Sequence, residues 1–265
     1  MSTEKGFGGM NMDDVPDDDA AKDRYVSHPG REKPKLPKRF YKETGFEAQE
    51  GGFAITLDGR AVKTPAKAPL LIPHENLAKA VAEEWAAQET HIDPAVMHLT
   101  RLANTAVDRV SVQRAYVLEE LARFGDTELL CYRAESPSEL VRLEAEKWDP
   151  LVAWAADEFQ APFQTTSGIL HIEQPDTVKS AVEGALTDVP DFALAGLHNV
   201  ISLTGSLILG FALLRGRLDA AEAFDVAHVD EAYQAKLWGE DSEAQERLAL
   251  RRTELEQSVF YLTLL

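Results

Sequence analysis

Apolar and polar positions alternate along the first patterned stretch of the chain, and helical spacing replaces that alternation for most of the remainder. Between residues 39 and 73, Phe53-Ala54-Ile55-Thr56-Leu57 has period two, Asp58-Gly59 is a two-residue hairpin turn, and Arg60-Ala61-Val62-Lys63-Thr64 returns. Gly51-Gly52 marks an earlier turn after residues 41–49, and Pro65 and Pro69 precede a short strand, Leu70-Leu71-Ile72. The pattern predicts a small antiparallel meander, which needs something packed on its apolar face to be stable.

Helices follow. Residues 75–88 place Leu77, Val81 and Trp85 four apart, a narrow apolar stripe ending in an aromatic anchor. The link Thr90-His91-Ile92-Asp93-Pro94 interrupts it, because Pro94 restricts Asp93. Helical spacing resumes over 100–108 and 111–124, with Gly125 as the stop. Ser136 fits an N-cap, Pro137 the first helical position and Glu139 the reciprocal capping acid. Asp149-Pro150 is either a kink in that helix or the start of the next, and residues 163–172 suit a returning strand. Further helices are predicted over 176–187, 191–214, 218–237 and from 242 to the end. In the last, Ala244, Leu248, Leu255, Val259 and Leu262 recur at helical spacings, which predicts docking along its whole length. The fold class expected is α+β: an acidic, disordered tail over 1–36, a small antiparallel β-rich N-terminal domain over 37–95, and a larger, mainly helical C-terminal domain over 96–265.

Composition narrows the function more than the fold. Across 265 residues, 45 Asp and Glu stand against 27 Lys and Arg, a formal net charge of -18. Such a surface repels phosphate backbones and anionic headgroups, which argues against nucleic acid and membrane surfaces as partners. The single cysteine, Cys131, lies in the apolar run Leu129-Leu130-Cys131-Tyr132 and reads as a small buried residue. The first ten residues lack the basic and apolar regions of a signal peptide, and the early acids argue against a transit peptide. The apolar run 200–214 is broken by Ser202, Thr204, Gly205, Ser206 and Gly210, so it reads as a central buried helix and not as a membrane span.

Catalytic and cofactor chemistry finds little support. Gly205-Ser206-Leu207-Ile208-Leu209-Gly210 has no Gly-Lys-Ser/Thr ending and cannot cradle phosphates as a P-loop does, so its small residues suit close helix packing. His228 and Glu231 stand one helical turn apart, two ligands where a metal site needs more, and no Gly-x-Ser-x-Gly elbow occurs. The reading is of a non-catalytic protein with no cofactor and no metal; an enzyme would need a pocket around His228 and Glu231.

Two polar regions remain. Arg101 with Thr105 and Asn104 with Asp108 form a ridge where a core helix would be apolar, expected as a satisfied network between the two parts. From Asp219 onward, 11 acids stand against 4 basic residues. Asp230, Glu231 and Gln234 precede Trp238-Gly239-Glu240-Asp241, an acidic rim beside a tryptophan that suits docking to a basic or apolar protein surface.

Taken in order, Pro37-Lys38-Arg39-Phe40-Tyr41, Leu57-Asp58-Gly59-Arg60, Lys63-Thr64-Pro65, Glu84-Trp85 with Gln88, and Ile92-Asp93-Pro94 with Met97 resemble the ATP12 family of F1 assembly chaperones. Residues 100–105, Leu129-Leu130-Cys131-Tyr132-Arg133, Trp148-Asp149-Pro150, Leu203-Thr204-Gly205-Ser206, Asp230-Glu231, Gln234 and Trp238-Gly239-Glu240-Asp241 continue it through to the C-terminus. The resemblance implies a β-rich domain followed by a helical one. It also implies binding of the unassembled alpha subunit of F1 ATP synthase, without ATP hydrolysis, and release to the beta subunit. Carried over, Glu240 and then Asp241 are the expected client contacts, supported by Trp238, with Asp230, Glu231 and Gln234 as the adjacent face. A bacterial cytoplasmic setting is expected, or the mitochondrial matrix for a processed chain. The alternative is an acidic adaptor or subunit of another complex.

Overall fold

The computed structural model describes residues 36–168, 170–239 and 241–265. The acidic tail expected over 1–36 lies outside the described residues except for Leu36, and residues 36–265 form one compact unit.

Strand β1 (Thr44–Gln49) pairs antiparallel with β2 (Gly52–Leu57), placing Phe46 opposite Ile55. Gly52 has φ 149°, and a Cβ there would lie 2.5 Å from the Ile72 carbonyl oxygen, so glycine is needed for the close approach. Asp58 and Gly59 both take positive φ, 49° and 74°, the backbone that a two-residue hairpin demands. Strands β3 (Arg60–Ala61) and β4 (Leu71–Ile72) then share the second edge of β2, so the sheet is not the simple meander expected. The cause is a tight return: Thr64 N donates to Ala68 O at 2.9 Å and Lys63 bridges to Pro69, which brings the chain back beside the half of β2 that the short β3 leaves unpaired.

Helix α1 (Glu75–Ala86) covers this sheet as the apolar stripe predicted, burying Leu77, Ala78 and Val81 against Ile55, Leu70 and Ile72. Near its end, Glu84 accepts from Leu99 N at 2.7 Å and from Thr100 N at 2.8 Å. Those donors are otherwise unpaired at the start of α2 (His98–Thr105), so one helix caps the next. A π-helical turn over Ala106–Val110 prolongs α2, and α3 spans Arg114–Asp126. Gly125 does not end α3. It is buried within the helix, where an added Cβ would come within 3.5 Å of Val182.

Helix α4 (Ser138–Phe159) corrects one expectation and decides between two alternatives. Pro137, not Ser136, occupies the N-cap position and no side chain caps it, while Glu139 pairs with Lys236 at 2.9 Å instead of reaching back. Asp149-Pro150 does not divide the helix, since Pro150 lies on its exposed side, where water can satisfy the carbonyl that proline leaves unbonded. The strand expected over 163–172 contracts to β6 (Thr166–Ser167), parallel to β5 (Tyr132–Arg133). Helix α5 spans Asp176–Thr187, as predicted.

The apolar run holds two helices and not one, α6 (Asp191–Thr204) and α7 (Leu207–Leu214). Gly205, at φ 69°, closes the first, and the Ser206 hydroxyl oxygen accepts from Leu209 N at 3.0 Å to open the second. The helices then pack closely, as the small residues suggested: a Cβ on Gly210 would lie 2.4 Å from Ile201 Cγ1. Likewise 218–237 divides at His228 into α8 (Ala220–Ala227), opened by a reciprocal cap between Asp219 and Glu222, and α9 (Val229–Trp238). The last helix, α10 (Ser242–Thr263), buries Glu254, Leu255, Ser258 and Tyr261 and packs Leu248, Val259 and Leu262 partly buried against the core, so it docks along most of its length, with Ser242 and Glu243 exposed at its start.

The fold is α+β. Its main core gathers Trp148, Leu121, Leu130, Leu194 and Phe211, with the Trp148 indole N–H donating to Val226 O at 2.9 Å. A second core under the sheet is completed by Leu99, Leu102, Ala103 and Tyr261. We propose residue 95 as the limit of the β-rich part, although its core borrows these side chains from beyond that point. Cys131 is fully buried, and burial pushes its thiol up to about 12, so it packs and does not react. No helix among the described residues is long and apolar enough to cross a membrane.

Candidate functional site

Helix α9 is seated from its first residue. The His228 ring donates from Nδ1 to Phe224 O at 2.8 Å and stacks on the Phe224 ring at 4.0 Å, while Arg252 covers that ring at 4.6 Å. Such a histidine is a packing residue at a helix junction. Glu231 is exposed, and no group of three metal-ligating side chains occurs among the described residues.

Val229 and Tyr233 bury one side of α9. Asp230 also turns inward: its Oδ1 is buried with no donor and faces the Glu144 carboxyl on α4. One oxygen of Glu144 accepts from Ala134 N at 2.9 Å, and the other has no donor. Burial, reinforced by the neighbouring Asp230 carboxylate, pushes Glu144 up to about 7 against the weaker pull of Arg133. Arg133 is committed elsewhere, pairing with Asp149 at 2.8 Å, donating to Leu130 O at 2.8 Å and lying over the Trp148 ring.

A carboxyl raised in the folded state keeps its proton while the unfolded chain has lost it, so stability falls as pH rises from the ordinary value of 4.5 toward about 7. Replacing Glu144 with Gln should make that decline shallower in urea titrations across the window, whereas an unchanged slope would remove Glu144 from the linkage.

The opposite side of α9 faces out. Glu231, Gln234 and Trp238 fall on one exposed stripe, Trp238 at 79% exposure and Leu237 beside it at 51%. Gly239, at φ 90°, ends the helix, and Asp241 Oδ1 accepts from Glu243 N at 3.1 Å to open α10. Glu240 lies outside the described residues. The outward side of the first half of α10 continues the surface, with Leu250 at 56% exposure. Of the residues singled out from the sequence, Glu231, Gln234 and Trp238 therefore share an outward face, Asp241 stands at its end, and Asp230 points away from it.

The polar ridge of α2 is spread among three elements. Arg101 pairs with Glu254 of α10 at 2.9 Å and contacts His98 at 3.1 Å, while Asp108 Oδ2 accepts from Ala66 N at 3.0 Å. The Thr105 hydroxyl donates to Arg101 O at 2.9 Å, within its own helix, and Asn104 Oδ1 is buried with no donor. Sequence reasoning gave no structural role to Glu84, quoted only within the family resemblance, and missed two further acids that organise the fold, Glu128 and Glu144. Only their partners, distant in sequence, distinguish them from other acids.

A family model described as the ATP12 chaperone protein matches residues 38–156. Atp12 from Paracoccus denitrificans superposes with a TM-score of 0.83 at 42% identity, covering 86% of this chain and 98% of that one. The Atu1473 protein from Agrobacterium tumefaciens gives a TM-score of 0.83 at 40% identity, covering 90% of this chain and 92% of that one. Protein atp12, mitochondrial, from Schizosaccharomyces pombe is 27% identical over 221 residues, spanning 79% of this chain and 76% of the relative.

Proposed function

Because the chain belongs to the ATP12 family of F1-ATPase assembly chaperones, we propose that it captures the unassembled alpha subunit of F1, covers its subunit-contact surface and releases it when the beta subunit takes that place. Family members assist assembly and do not catalyse reactions. The related proteins are bacterial or named as mitochondrial, which places the chain in a bacterial cytoplasm or a mitochondrial matrix.

The observation that carries the reading is the outward end of α9, where Trp238, 79% exposed, shares a stripe with Glu231 and Gln234, next to Asp241, that no described residue covers. A large aromatic is costly to leave in water and is among the strongest anchors when a partner covers it. Broad contact with reversible affinity needs no catalytic constellation, and acids around the anchor favour a basic client surface. Glu240 and Asp241 remain the leading acidic contacts, with Trp238 as the anchor. Val229 and Tyr233, both buried, and Lys236, paired with Glu139 of α4 at 2.9 Å, hold the helix that presents them.

Trp238→Ala should weaken capture of the alpha subunit by roughly 30-fold, about 2 kcal/mol for a buried aromatic anchor. Glu240→Gln combined with Asp241→Asn, which keeps a capping side chain, should slow association and reduce its salt dependence. Titrating alpha subunit against each folded variant checks both, and wild-type affinity in both variants would remove this face from the site.

A further inference from the structure

A groove of about 550 Å³ lies on the β-rich part, beside β3. Its wall is the Phe40 ring, which is 74% exposed and held edge-on to Tyr41 at 5.3 Å. Trp85 lines the groove as well, and its indole N–H is buried without an acceptor, an unusual state for a tryptophan. Arg60 and Lys63 stand exposed at the rim, and neither forms an ion pair with a described residue. Asp58 is the one acid of the lining, and its Oδ1 accepts from Lys42 N at 3.0 Å and Glu43 N at 2.9 Å.

The backbone of β3 adds a second kind of unmet bonding. Val62 N donates to Ile55 O at 2.8 Å, so the neighbouring pair, Ala61 opposite Thr56, is of the type that exchanges no hydrogen bonds. Ala61 therefore turns its N–H and C=O outward along the open edge of the sheet. Such an edge is a template for an added strand.

We propose that this groove takes a short extended segment of another protein, one that alternates acidic and apolar side chains and adds along the edge at Ala61. The added backbone pairs with Ala61, its acids reach Arg60 and Lys63, and its apolar side chains cover Phe40 and the Trp85 ring. Although the chain carries a net charge of -18, fields are screened beyond about 10 Å at 0.1 M salt, so the local cations decide which peptide approaches. The site is separate from the α9 face and does not depend on the identity of the client held there.

Fluorescence anisotropy of the full chain with a labelled short peptide alternating Glu and Val tests the inference, with the Lys-Val counterpart as control. The Glu-Val peptide should bind at least 10-fold more tightly than the Lys-Val peptide, and Arg60→Glu with Lys63→Glu, both at exposed positions, should abolish the difference. The same Glu-Val peptide N-methylated at alternate residues, which cannot pair with an edge, should lose binding to the unaltered chain. Equal affinity for the two peptides, or full binding by the charge-reversed variant, overturns the acidic specificity. Undiminished binding of the N-methylated peptide overturns the strand-edge mode.

Discussion

Replacing Glu128 with Ala should lower the stability of the chain by about 3–5 kcal/mol, a large part of the 5–15 kcal/mol typical of a folded protein. Glu128 is fully buried, and its carboxylate gathers Leu207 N at 2.8 Å, Ile208 N and Leu130 N at 3.2 Å, and the Ser206 hydroxyl. It thus closes the N-terminus of α7 and the turn before β5 with one side chain. Alanine leaves those donors in a dry interior, each costing about 1–3 kcal/mol unless the structure relaxes. Burial pushes the Glu128 carboxyl up to about 7 even though its donors favour the charged form. The sign of the linkage follows as for Glu144: the folded chain holds a proton that the unfolded chain has released, so this group's contribution is full below pH 4.5 and is lost as pH rises through about 7. Urea unfolding of Glu128→Ala and Glu128→Gln at several pH values separates the two effects. The amide should recover part of the capping and abolish this residue's share of the pH dependence, while wild-type stability in the alanine variant would contradict the capping role.

Tyr261→Ala should be as damaging, by about 3–5 kcal/mol, because the ring is fully buried in the core beneath the sheet although it comes from the last turns of the last helix. Its hydroxyl donates to Phe192 O at 3.1 Å, so Tyr261→Phe should cost about 1 kcal/mol and separate the hydrogen bond from the packing. A chain truncated after Arg252 loses Leu255, Ser258 and Tyr261 together and should not fold, whereas changes confined to the exposed first turns of α10 should be tolerated. Thermal unfolding of the point variants measures the difference directly. A melting temperature close to wild type for Tyr261→Ala would show that the sheet closes without its C-terminal plug.

Local patterns were the legible part of this fold. Asp58-Gly59 marked the hairpin because few other pairs accept two positive φ angles in succession. The spacing of Leu77 and Val81 marked α1, since those residues do face the sheet. The break at Gly205-Ser206 was hidden because the residues around it are apolar on every side, so periodicity carries no phase there. What fixes the break is an acid 78 residues away, Glu128 against Ser206. Pro150 left the choice between one helix and two open, because only its exposed position on α4 shows that the helix continues through it.

The candidate site was legible in composition and by resemblance, but not in orientation. Trp238 and its acids could be singled out, yet sequence could not show that Trp238 points into solvent while Asp230, on the same helix, turns toward Glu144. Both facts depend on α4 and the packing of Val229 and Tyr233. The groove at β3 was also invisible from the sequence, because it depends on which peptide groups of a two-residue strand remain unpaired.

The account rests most directly on capture of the alpha subunit. Alpha subunit unfolded in denaturant and diluted into buffer with the purified chain should remain soluble in a defined complex, and added beta subunit should displace the chain as it binds alpha. Aggregation of alpha at the same rate with and without the chain, and with no complex formed, would contradict the central claim.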